Sequence, residues 1–174
     1  MKYIFFFITF ILISSCSQDT KEIVTKVEGE NLEKQMIEAY NAGLEALEKN
    51  DMYYAAKKFN EAELIFPQSD WAPRASLMAA YAYWLNGFYN DSINELQRFV
   101  KLYYKNENLD YAYYLIAMNY YDSIVNEKKD LRPLAQAQKY FSLLINKYPD
   151  TDYALDAKYK LELIEDILAT KEMF

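Results

Sequence analysis

The 174-residue chain carries 26 acidic and 19 basic side chains, a formal net charge of -7 that argues against nucleic acid as a partner. It has no His and one Cys, which removes His-based acid–base catalysis, Cys–His nucleophile pairs, His-containing metal sites and any intrachain disulfide. Three Gly and four Pro are too few for a coil-rich chain, whereas 18 Tyr, 10 Phe and 2 Trp are a large amphipathic surface that the fold has to place.

The first element is a short apolar run over 4–13, preceded by Lys2 and followed by Ser14 and Ser15. It is about half the ~20 residues that a membrane-crossing helix needs, and the small residues at its end suit a processing site, so residues 1–15 are expected to be an export signal. The sequence Ile13-Ser14-Ser15-Cys16 resembles the lipobox of bacterial lipoproteins, which implies Cys16 as the lipidated first residue of the mature chain. More than one acyl chain at Cys16 would make attachment stable, where a single chain binds only marginally. Ser17 follows the Cys in place of the Asp that commonly retains such proteins in the inner membrane, so the resemblance implies the periplasmic leaflet of the outer membrane. Residues 16–31 are expected to form a lipidated polar tether.

From Leu32 onward the pattern is helical, rich in Ala, Leu, Glu, Lys and Gln. It predicts helices over 33–49, 53–66, 73–86, 89–104, 110–126, 132–147 and 152–171. Pro67 and Pro149 discourage continuation of the helices before them, and Asp70 and Asp150 are placed to cap the helices after them. Superposing the segments aligns Gly43, Ala80, Ala117 and, more loosely, Ala157, at spacings of 37, 37 and 40. In the first unit this small residue is followed by Ala55, Phe59 and Pro67, the small–aromatic–proline order of a tetratricopeptide-like repeat. The second unit repeats the order with Phe99, and the third with Ala137, Phe141 and Pro149 after an insertion around 126–130. The expected fold is all-α: a superhelical solenoid of antiparallel helix pairs over 32–174, apparently truncated, with three complete pairs and the first helix of a fourth.

In such a solenoid the first helix of each pair lines a concave groove. The candidate lining residues are Tyr40 and Leu44 in the first unit, Leu77, Tyr81 and Trp84 in the second, and Tyr111, Tyr114, Met118 and Tyr121 in the third. Tyr and Trp combine apolar area with a hydrogen-bonding edge and Met is adaptable, which suits recognition of a peptide with an apolar face; the same rings also suit packing between repeats. Arg74, near the mouth of the groove, is open to a surface salt bridge or to an acidic or C-terminal group. No acidic pair converges in sequence: Glu61 and Glu63 point in different directions, and Asp150 and Asp152 read as turn and cap residues. Nothing implies a cofactor, a metal or catalysis.

The lipid-attachment Cys16, the opening Tyr40-Asn41-Ala42-Gly43, the run Asn108-Leu109-Asp110-Tyr111-Ala112, the long third unit and Tyr148-Pro149-Asp150-Thr151 together resemble the BamD family, lipoproteins of the β-barrel assembly machinery. The resemblance implies a non-catalytic role. Its amino-terminal repeats would bind unfolded outer-membrane protein precursors through their terminal targeting strand, and the partners would be the barrel-forming assembly protein and other assembly lipoproteins. A structural periplasmic scaffold joining envelope or cell-wall synthesis proteins is the alternative reading of the same solenoid. Family members usually have about five repeats, of which the resemblance implies that the carboxy-terminal ones dock to the barrel-forming assembly protein.

Overall fold

The computed structural model describes residues 19–124 and 131–172. The expected signal, Cys16 and the insertion at 126–130 lie outside these residues. Within them the chain forms seven helices: α1 (Asp19–Glu48), α2 (Met52–Ile65), α3 (Ala72–Leu85), α4 (Tyr89–Leu102), α5 (Leu109–Asp122), α6 (Arg132–Lys147) and α7 (Asp152–Glu172). Helices α1/α2, α3/α4 and α5/α6 are antiparallel pairs. Each helix packs on the next, and the first helices also stack on one another, α3 on α5 and α5 on α7. This is a tetratricopeptide-like solenoid of three helix pairs, with α7 packed after the third.

The largest departure from expectation is the start of α1. The backbone is helical from Asp19, so the expected tether is helical over most of its length and the boundary at residue 32 falls inside a continuous 30-residue helix. No Pro interrupts 19–48, and Gly29 and Gly43 each cost only about 1 kcal/mol, too little to break a long run of good helix formers.

The turns follow local chemistry. The α1/α2 and α3/α4 turns close in the same way: Asp51 N–H donates to Ala46 O at 2.9 Å and Phe88 N–H to Tyr83 O at 2.9 Å. Each closure places one residue at positive φ, Asn50 at 60° and Gly87 at 74°, as a Schellman ending requires. Asp51 caps α2 by accepting from Tyr54 N–H at 3.2 Å. The caps of α3 and α7 are not the expected Asp70 and Asp150. Ser69 Oγ accepts from Ala72 N–H at 3.1 Å and Thr151 Oγ1 from Ala154 N–H at 3.2 Å, since each hydroxyl lies three residues before the amide that needs a partner. Pro149 is exposed and ends α6; it does not pack between repeats.

The core is built on small-against-aromatic contacts. Gly43, Ala55, Ala80, Ala117, Ala137 and Ala157 are buried, as are the rings of Phe59, Phe99 and Phe141. The tightest contact is at Gly43, where a Cβ would sit 2.7–2.9 Å from three carbons of the Phe59 ring. A buried ring wedged between helices cannot retreat, so Gly43→Ala is expected to lose stability although Ala is the better helix former. With three ring carbons inside 3.0 Å, overpacking falls in the upper part of its range, about 2–3 kcal/mol, and a propensity gain of about 1 kcal/mol leaves a net loss of ~1–2 kcal/mol. A urea melt that showed no loss would mean the ring has room to move.

Ala157 is buried, but not at the position expected of it. Asp110-Tyr111-Ala112 at the start of α5 recurs as Asp152-Tyr153-Ala154 in α7, which aligns Ala157 with Leu115 and Tyr159 with Ala117. Ala157 packs in the cluster of Ala117, Phe141 and Leu144, facing the preceding unit. Leu155, Tyr159 and Leu163, spaced one turn apart, form an exposed apolar stripe on α7.

Candidate functional site

A cleft of about 370 Å³ opens between the first helices of the first two units. Helix α1 contributes Ile37, Tyr40, Asn41 and Leu44, the i, i+3, i+4, i+7 positions of one helical face. Helix α3 contributes Arg74 and Met78, and Trp71 comes from the turn before α3. Tyr40 is the floor: it is 6% exposed, with its ring edge-on to Phe59 at 5.1 Å and to Trp71 at 5.4 Å. Ile37, Leu44 and Trp71 are the walls, each 37–38% exposed. The Arg74 guanidinium lies over the Trp71 ring at 5.4 Å, and no carboxylate of the described residues is within ion-pair distance of it. An apolar slot with an unneutralised cation at its rim has the chemistry to take a segment with a bulky apolar side chain next to an anionic group.

Of the expected groove residues, Tyr40 and Leu44 line this cleft. Leu77 is buried in the cluster around Phe99 and Leu115, and its neighbour Met78 faces the cleft instead. One residue turns a helix by 100°, which is enough to exchange the two faces. Met118 is likewise core rather than groove, packed with Leu134 and Phe141.

The remaining candidates form a half-buried aromatic seam further along the solenoid. Tyr81 and Trp84 are 5.8 Å apart, and Tyr111 and Tyr114 each lie 5.2 Å from Tyr153 of α7. Trp84 Nε1 donates to Asp122 Oδ2 at 2.8 Å, and the Tyr114 hydroxyl donates to Asp156 Oδ2 at 2.7 Å. Lys160 Nζ sits 5.3 Å over the ring of Tyr121. Burial pushes the hydroxyls of Tyr111 and Tyr114 above the ordinary phenol range, and the bond to Asp156 adds to the effect at Tyr114. Both therefore remain protonated donors across the physiological range. The seam both packs α3, α5 and α7 together and presents ring edges and carboxylates to solvent.

Sequence reasoning missed Ile37, Asn41, Trp71 and Met78 as cleft residues. The spacing of Ile37, Tyr40 and Leu44 carried a signal for the first; Trp71 sits in a turn, where helical periodicity says nothing. It also missed the link that holds the first two units together. Glu63 of α2 is buried and accepts from Arg98 Nη1 of α4 at 2.8 Å and from the Tyr103 hydroxyl at 2.6 Å. Arg98 also reaches Glu95 Oε2 at 2.6 Å and Ser76 Oγ at 3.1 Å. Asn119 of α5 ties the next interface, donating to Ser92 Oγ at 2.9 Å while Ser92 donates to the Ala80 carbonyl at 2.8 Å. Among the described residues no group of three His, Cys, Asp or Glu is placed to hold a metal ion, and no helix is long and apolar enough to cross a membrane.

A family model described as outer membrane lipoprotein, YfiO, matches residues 32–174. The chain is similar to the outer membrane protein assembly factor BamD of Caulobacter vibrioides, with 35% identity over 134 residues that make up 77% of this chain and 44% of the relative. It is equally similar, at 35% over 134 residues, to the protein of that name from Rickettsia prowazekii, covering 77% of this chain and 53% of the relative. With that from Xylella fastidiosa strain Temecula1 it shares 27% identity over 175 residues, 95% of this chain and 58% of the relative. The chain spans about half the length of the curated relatives it matches.

Proposed function

The chain belongs to the YfiO family of outer membrane lipoproteins, and on that premise we propose that it is a non-catalytic assembly factor that holds unfolded β-barrel precursors by their terminal targeting segment. In this reading Cys16 carries the lipid anchor in the periplasmic leaflet of the outer membrane, and the helical start of α1 stands the repeats off the lipid surface. The aromatic end of an unfolded precursor enters the cleft of Ile37, Leu44 and Trp71, with its anionic terminus at Arg74. The segment is then passed to the barrel-forming assembly protein, in company with other assembly lipoproteins. The function is binding and hand-over, with no bond made or broken.

The observation that carries this reading is the pairing, in one cleft, of exposed apolar walls with a guanidinium that has no carboxylate partner among the described residues. Exposed apolar area rimmed by polar groups marks an interaction site, and rigid aromatic anchors supply most of the affinity in such sites. Leu44→Asp and Trp71→Ala are each expected to weaken binding of an aromatic-ended precursor peptide by roughly tenfold or more, with helix content unchanged because both side chains are at the surface. A photoreactive group at position 44 is expected to label peptides that carry the terminal segment and to spare those that lack it; equal labelling would overturn the reading. Gentle solubilisation and affinity capture that recovered cell-wall synthesis proteins without the barrel-forming protein would favour a structural scaffold instead.

A further inference from the structure

Arg74, Met78, Tyr81 and Trp84 are spaced three or four residues apart along α3 and so share one face. Arg74 and Trp84 lie ten residues apart in sequence, which separates them by about 15 Å along the helix axis. The two ends of this stripe have opposite charge. At the first is Arg74, stacked on Trp71. At the second are Asp122, which accepts from Trp84, and Asp156, which accepts from Tyr114. Both carboxylates are half-buried, and both bear on the Tyr114 hydroxyl, Asp156 through its hydrogen bond and Asp122 through its charge. Among the described residues neither has a Lys or Arg within ion-pair distance.

Helix stability explains neither Arg74 nor Asp122. Arg74 is in the first turn of α3 and Asp122 is the last residue of α5, and the helix dipole disfavours a cation at the first position and an anion at the second. The neighbouring ring of Tyr121 already holds an ammonium group, that of Lys160. Each aspartate accepts its aromatic donor at one oxygen, Oδ2, so its second oxygen can take another donor.

We propose that the Asp122–Asp156 end of the seam is a second subsite, which takes a Lys or Arg side chain of the bound segment and, together with Arg74, sets the direction in which that segment lies. The proposal rests on reading the cleft as a peptide site. An extended chain advances about 3.3 Å per residue, so a span of ~15 Å puts the basic residue roughly four or five positions before the anionic chain end. The chain end lies at Trp71 and Arg74; the earlier part of the segment runs toward α5 and α7. The face thus selects for charge pattern as well as for an aromatic end.

The test uses the full chain in detergent micelles and three labelled ten-residue peptides ending in Phe with a free carboxylate. They carry Lys, Gln or Glu at the fifth residue from the end, and binding is followed by fluorescence anisotropy. The Lys peptide is expected to bind roughly five- to tenfold more tightly than the Gln peptide, and the Glu peptide more weakly than either. Asp122→Asn with Asp156→Asn keeps an oxygen acceptor for Trp84 and Tyr114, and is expected to erase the Lys advantage while leaving the Gln peptide unchanged. A photoreactive group at the carboxy end of the peptide should label the α1–α3 cleft, and one at its amino end should label α5 or α7. Equal binding of the Lys and Gln peptides to the unsubstituted chain would overturn the second subsite and leave the cleft standing. Equal losses for both peptides in the double variant would show that the carboxylates act only on the fold, and reversed labelling would overturn the direction. Failure of all three peptides to bind would remove the cleft reading and this one with it.

Discussion

Phe59→Ala is expected to destabilise the chain by about 3–5 kcal/mol, the largest effect of any single truncation in the first unit. The ring is fully buried, fills the notch left by Gly43 and supports Tyr40 edge-on. Removing it takes away apolar burial and leaves a cavity that α1 and α2 can close only by shifting, which would also drop the floor of the cleft. Trp71 lies 5.4 Å from Tyr40 and so reports on this unit, while Trp84, bonded to Asp122, reports on the second and third. In a denaturant titration the Trp71 signal should therefore move to lower denaturant by more than the Trp84 signal, since stability in a solenoid is close to a sum of local units and their interfaces. Equal shifts would mean the described units unfold as one body, and no shift would mean the ring is not a packing centre.

Arg98→Met is expected to cost about 3 kcal/mol, the lower end of the range for breaking a buried ion pair, because Arg98 is only half-buried. The loss comes mostly from Glu63. Among the described residues, this buried carboxylate without the guanidinium keeps one donor, the Tyr103 hydroxyl, and has no neutralising charge. Adding Glu63→Met should restore most of the stability, because an apolar pair of similar volume has no charge to desolvate. A deficit that stayed the same in the double variant would place the loss in the packing of the Arg98 stem instead.

These two sites differ in how far the sequence exposed them. Gly43 and Phe59 belong to a repeated small–aromatic pattern, and periodicity reports such local, recurring contacts well. The Glu63–Arg98 pair joins residues 35 positions apart and occurs once, so no pattern announces it. Glu63 read simply as one of two acids on a helix. Helix placement was legible to within a few residues except at α1, where the polar composition of 19–31 suggested a tether although nothing in it breaks a helix. The caps were misassigned to Asp70 and Asp150 because acid, hydroxyl and turn residues are adjacent there, and only geometry shows which oxygen reaches the open amide. Part of the cleft was legible: Tyr40 and Leu44 follow from helical spacing, but choosing Met78 over Leu77 needs the orientation of α3, and Trp71 needs the path of a turn. Helical spacing groups Tyr81 and Trp84 with Leu77, and Tyr111 and Tyr114 with Met118 and Tyr121, but it does not separate the core members Leu77 and Met118 from the rest, and the bonding to Asp122 and Asp156 depends on how α3, α5 and α7 stack.

That stacking has a consequence for the order in which the molecule forms. Each helix meets the next one in the chain, and the longest described reach is between alternate neighbours, α3 with α5 and α5 with α7. Such short loops cost little entropy to close, which places the chain among fast-folding topologies of low contact order. A polypeptide emerging amino terminus first can complete α1/α2 around Gly43 and Phe59 before α5 has appeared. The aromatic cleft needs only α1, α2 and the start of α3, whereas the carboxylate end needs α7. The cleft of Ile37, Leu44 and Trp71 is thus assembled about 80 residues before the Asp122–Asp156 end of the seam.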